Sequence, residues 1–102
     1  MSNKRLEPKA RKRQILAAAL ITVGAPGGWS NLTRERVGRQ AGCADSLISS
    51  YFGTMSTFRR TIMRAAIVDE NLSVIAQGLA AGDKYARKAP DDLKQQALAS
   101  LR

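Results

Sequence analysis

Two glycines four residues apart, Gly38 and Gly42, set the strongest limit on how this chain folds. Around them, in residues 34–53, Val37, Ala41, Cys43, Ile48 and Tyr51 fall where two short helices joined by a tight turn need apolar or small groups. Gly42 sits at the turn, where a positive φ is cheap only without a Cβ. Gly38 lies one turn back, where a large side chain would hold the second helix off. Between these positions the sequence is polar or small. The pattern is that of a helix-turn-helix, whose physical use is to set one helix into the major groove of DNA.

Charge is the second constraint. In 102 residues, seventeen Lys and Arg face eight Asp and Glu, a net +9. A small chain this basic attracts polyanions, nucleic acid first and an anionic membrane surface second. The excess is uneven: Lys4, Arg5, Lys9, Arg11, Lys12 and Arg13 crowd the N-terminal stretch against Glu7 alone. Apolar runs reach only about half of a membrane span, so no bilayer crossing is expected. No signal-peptide core follows the start, which leaves cytoplasm or nucleus. With one cysteine, Cys43, and no histidine, neither an internal disulfide nor a zinc site is expected, and the commonest general base is missing. Cys43, beside the turn glycine, reads as core packing.

The hydrophobic pattern divides the chain into an all-α series. Residues 1–9 read as a flexible basic arm. A first helix follows over 9–23, with Ile15, Leu16, Ala19, Leu20 and Val23 on one face, stopped by Gly24-Ala25-Pro26-Gly27-Gly28. Trp29 either lids the core or lies against DNA. Thr33 caps a second helix ending near Gln40 or Ala41, with Leu32 before it packing inward. A third helix covers 44–52, with Asp45 and Ser46 in its first turn. A long helix over 56–80 carries an apolar stripe and, unbroken, would run about 40 Å; Asp69-Glu70-Asn71 is the place where it could be interrupted. Pro90-Asp91-Asp92 starts a short last helix. The expected organisation is an arm (1–9), a helix-turn-helix domain (10–54) and a helical dimerisation region (55–102).

The stretch from Leu32-Thr33-Arg34 through Gly38, Gly42, Ile48 and Tyr51-Phe52 resembles the DNA-binding region of TetR-family transcriptional regulators. Arg13-Gln14-Ile15-Leu16 matches that family's first helix, and Phe58 its later phenylalanine. The resemblance covers about residues 10–67. It implies a TetR-like three-helix domain followed by a long and a short helix, acting as a repressor of transcription in the bacterial cytoplasm, at the nucleoid. Two positions depart from the pattern. Ser49 stands where the family usually has a phosphate-touching tyrosine, and Met55 where it has a basic residue. The family also carries a further ligand-binding domain, whereas this sequence ends at Arg102; since drug-sized ligands need pockets of several hundred Å³, a small-molecule inducer is not expected.

Candidate DNA contacts follow from the groove geometry. A recognition helix offers its N-terminal residues to base edges, here Ala44, Asp45, Ser46, Leu47, Ser49 and Ser50. The serines can donate or accept. Leu47 either reaches thymine methyls or packs against the first helix. Asp45 can accept from cytosine N4. Thr33 and Arg34 open the second helix, whose N–H groups can hold a phosphate, and Arg36 and Arg39 add charge. Tyr51 matches a family position that often holds a phosphate-touching histidine. The basic arm either reaches the minor groove or is only a solvated tail.

One such helix reads few base pairs, so two-fold pairing on a palindromic operator is expected. Phe58, Ile62, Leu72, Ile75, Leu79, Leu93, Leu98 and Leu101 are the expected homodimer interface. The partner is then double-stranded DNA, with no cofactor, metal or membrane. The competing class is a helical protein-interaction module, favoured by Ser49 and Asp45 and opposed by the charge. An enzyme is not expected: there is no paired-carboxylate motif, no phosphate-binding glycine loop and no nucleophile with a base. Asp69-Glu70 and Asp91-Asp92 read as helix-surface and capping charges.

Overall fold

The structure is a computed structural model that describes residues 7–101; over these residues it contains helices and no strand. The order is α1 (Pro8–Gly24), α2 (Arg34–Ala41), α3 (Asp45–Phe52), α4 (Met55–Val68), α5 (Leu72–Ala80), a 3-10 turn (Ala86–Lys88) and α6 (Asp91–Ala99). The all-helical class is therefore as the sequence predicts. Among the described residues no helix is long and apolar enough to cross a membrane. Most of the expected arm, residues 1–6, lies outside the described residues, as does Arg102. Its described end belongs to α1: Pro8 opens the helix, where a fixed φ and a missing N–H are no handicap.

One continuous core joins every element. Ile15, Ala19 and Val23 of α1 meet Val37 of α2, Ile48 and Phe52 of α3, Phe58 and Ile62 of α4, and Ile75 of α5. The Phe52 and Phe58 rings lie 4.8 Å apart, centroid to centroid, tilted by 37°. That is favourable aromatic geometry, and it ties the end of α3 to the start of α4. Trp29 is buried and lids this core. Its N–H donates to Gln77 Oε1 at 2.8 Å, its carbonyl accepts from Arg59 Nη1 at 2.8 Å, and the Arg59 guanidinium lies over its ring. The reading of Trp29 as a DNA contact is thereby closed.

The expected long helix over 56–80 is two helices. α4 ends at Val68, Glu70 turns left-handed at φ 53°, and the Asn71 N–H returns to the Ala66 carbonyl at 2.8 Å. The Asn71 side chain then caps α5, accepting from the Val74 N–H. This is a glycine-type helix stop made with a glutamate. The physical reason is burial. Phe58, Ile62 and Met63 on α4 and Val74 and Ile75 on α5 are all fully buried; a straight rod would leave much of that stripe in water. Folding back lets the two helices cover each other, with Gly78 seated against the Met63 side chain.

That fold-back also corrects the expected dimer surface. Phe58, Ile62, Ile75 and Leu93 are buried inside the single chain and have no surface to offer a partner. Leu72 and Leu79 are half-buried. Leu98 and Leu101 remain exposed, at 49% and 57%. In α6, Leu93 and Ala97 face the core; Leu98 does not, nor does Leu101 just beyond the helix.

Candidate nucleic-acid interface

The turn between α2 and α3 is built on the two glycines. Gly42 has φ 72°, and its N–H bonds the Gly38 carbonyl. The Cys43 N–H reaches that same carbonyl at 2.9 Å, completing a paired C-terminal stop of the kind glycine favours. Gly38 serves a different purpose: a Cβ there would stand 2.6 Å from the Cys43 carbonyl oxygen. The turn can lie this close to α2 only because that side chain is absent. Cys43 itself is half-buried against the core.

Thr33 caps α2, its Oγ1 accepting from the Arg36 N–H at 3.1 Å. Leu32 before it and Val37 four residues into the helix region are both buried, the arrangement of a hydrophobic staple. α2 therefore starts at a fixed place with its first N–H groups near the surface. Arg34 leaves this start and donates through Nη2 to the Gly53 carbonyl at 3.2 Å, while its Nε is buried without a partner among the described residues. Arg34 thus joins the start of α2 to the end of α3. Arg39 pairs with Glu35 at 2.8 Å, an exposed helix-surface pair worth about 0.3–0.5 kcal/mol.

On α3 the two faces are distinct. Ile48 and Phe52 are buried; Asp45, Ser46 and Ser50 are exposed, as is Ala44 just before the helix; Leu47, Ser49 and Tyr51 are half-buried. Leu47 and Tyr51 both pack against the core, so the reading of Leu47 as a packed residue describes its position better than that of a free methyl-contacting side chain.

A groove of about 520 Å³ runs between α2 and α3 and brings together Thr33, Arg34, Asp45, Ser46 and Ser49. Ala44, Leu47, Ser50 and Tyr51 do not line it. Glu35 and Met55 do, and Glu35 was not singled out from the sequence; its place one residue beyond Arg34 in the first turn of the helix was the available signal.

Cations of α1 lie against the end of α3; Lys12 and Arg13 stand on the first helix as the sequence predicts, and Lys9, where the expected arm and helix meet, stands on it too. Lys12 lies over the Phe52 ring at 5.5 Å, and Lys9, Lys12 and Arg13 edge a shallow depression against Phe52 and Thr61. These charges stand on α1. Gln14 donates to the Ala41 carbonyl at 3.3 Å and helps to hold α1 against the end of α2. The result is a helix with small polar groups on its free side and two cations at its end, Arg34 on the Gly53 carbonyl and Lys12 over the Phe52 ring. Such a surface can hold phosphates through its cations while short side chains approach base edges.

No family model matches this chain, and neither does any curated protein or solved structure to which it was compared.

Proposed function

We propose that this chain is a sequence-specific, double-stranded-DNA-binding regulator of transcription with a TetR-like arrangement. In this reading it is a homodimeric repressor on a palindromic operator, working in the bacterial cytoplasm at the nucleoid. One observation carries the reading: α3 buries Ile48 and Phe52 while Ser46 and Ser50 stay exposed, beside a helix start formed by Thr33 and Arg34.

In this mechanism α3 enters the major groove with Ala44, Asp45 and Ser46 foremost. Ser46, Ser49 and Ser50 meet base edges, where hydroxyls serve as donor or acceptor. The first N–H groups of α2 and the Arg34 guanidinium take one phosphate strand, and Lys9, Lys12 and Arg13 take the other. Tyr51 offers its hydroxyl at the rim. A second copy joins through Leu98 and Leu101, with Leu72 beside Leu101, which doubles the site. Selection of bound duplexes from a random pool tests binding, sequence preference and two-fold symmetry together. A pool recovered without enrichment removes the sequence-specific part of the proposal.

A specific observation supports the alternative of a protein-interaction module. An apolar groove of about 600 Å³ between α1 and α4 is floored by Leu16, Ala17, Leu20, Ala65 and Val68 and flanked by Arg13 and Arg64, with Val68 81% exposed. A gel shift with random DNA fragments at low salt separates the readings: no retarded species favours the module.

A further inference from the structure

Away from the α3 surface, three cations converge on one aromatic ring. Arg60 of α4 lies 5.9 Å from the Tyr85 ring centroid, Lys84 5.3 Å and Lys88 5.4 Å. One cation over a ring is a favourable contact; three around the same ring repel one another. Among the described residues no acid forms an ion pair with them. The ion pairs among the described residues are Arg39 with Glu35 and Lys94 with Asp91, and neither touches this group. Asp83, the one acid in residues 82–89, turns its carboxylate inward and accepts from the Tyr85 and Ala86 N–H groups at 3.1 and 2.8 Å. The backbone thus uses the nearby negative charge and leaves the positive charges facing out, around a half-buried phenol.

We infer that Arg60, Lys84, Lys88 and the Tyr85 hydroxyl form a binding site for a phosphate oxyanion, separate from the α2–α3 groove. A dianionic tetrahedral group matches the charge, accepts paired N–H bonds from the guanidinium and takes the phenolic proton as a further donor. None of the four residues lines the α2–α3 groove, so the site stands whether or not α3 reads DNA. The phosphate has two possible sources, a free polyphosphate or the backbone of a nucleic acid. The phenol also reports on occupancy: the Arg60 guanidinium nearby, with Lys84 and Lys88 adding, holds its ionisation below the ordinary tyrosine value, and a bound anion reverses that bias.

The test uses the full chain with ring-labelled tyrosine, the Tyr85 resonances being assigned by Y51F. Tyr85 is titrated with pH in the presence and absence of inorganic pyrophosphate, at matched ionic strength with sodium chloride. Pyrophosphate is expected to raise the ionisation midpoint of Tyr85 saturably, by about half a pH unit or more. In the K84Q/K88Q double variant, whose exposed positions leave the fold intact by circular dichroism, the shift is lost. Duplex DNA at neutral pH forms the second arm. Ring-resonance shifts that pyrophosphate competes away identify a nucleic-acid backbone as the source; a response to pyrophosphate alone identifies a free polyphosphate. No saturable response to either probe, or an equal response in K84Q/K88Q, overturns the inference.

Discussion

A β-carbon on Gly38 would stand 2.6 Å from the carbonyl oxygen of Cys43. The atom it meets belongs to the backbone of the turn that aims α3, so it cannot swing aside as a side chain would. Gly38→Ala gains up to ~1 kcal/mol of helix propensity but forces the turn away from α2, and overpacking of this kind costs about 1–3 kcal/mol. The clash outweighs the propensity gain. A lower urea midpoint with an unchanged slope is expected. Gly42→Ala makes a useful contrast: nothing lies within 4 Å of its Cβ position, so only the left-handed backbone opposes it, at about 1 kcal/mol.

Gln77 binds the end of α1 to the loop that follows. Its amide donates to the Val23 carbonyl at 2.6 Å and the Ala25 carbonyl at 3.1 Å, and accepts from the Trp29 N–H. Gln77→Leu leaves these backbone groups without their partner at the edge of the core. The expected loss is about 2–3 kcal/mol, read by thermal or urea unfolding.

Glu70 holds φ 53° where a glycine would rest without strain. It is exposed, so little packing is lost on removing its side chain. Glu70→Gly is expected to raise stability by about 0.5–1 kcal/mol. A lower unfolding midpoint would show instead that the turn depends on this side chain.

DNA affinity is expected to fall steeply with salt. Four cations per copy, Arg34, Lys9, Lys12 and Arg13, make eight phosphate contacts in a dimer, which gives a log–log slope near −7 and about a 10,000-fold loss between 50 and 200 mM salt. Arg34→Ala weakens all duplexes about equally, while Ser46→Ala changes which sequence is preferred. Fluorescence anisotropy on selected and scrambled duplexes checks both.

Of the leucines expected at a homodimer interface, Leu98 and Leu101 are the ones that stay exposed. L98E/L101E is expected to yield monomer in sedimentation at micromolar concentration, with helicity unchanged. A wild-type chain that already sediments as monomer would remove them from this role.

The parts of the fold legible in the sequence are those fixed by local chemistry. The start of α2 follows from Thr33, its end from Gly42, and the buried side of α3 from Ile48 and Phe52; each signal lies within a few residues of the feature it sets. The break at Glu70 is different. Its local signal, Asn71 as a cap, is real, but a glutamate in the left-handed region is chosen only because two apolar stripes must meet across the fold-back. For the same reason the interface leucines were over-counted. An apolar stripe says that a face is covered, and here α5 and α6 cover much of what a partner was expected to cover. In the candidate site, the charge of Lys12 was legible but its place over Phe52 was not, because that depends on how α1 crosses the end of α3. The converging cations around Tyr85 are spread over two elements, α4 and the 3-10 turn with the loop before it, and no spacing rule links them.

The Arg34 guanidinium rests on the carbonyl of Gly53, the residue at which α3 stops. A strand that pulled this side chain toward itself would loosen the brace at the far end of the rod. In the proposed DNA complex, one side chain would then serve both the grip on a phosphate and the seating of the last turn of α3.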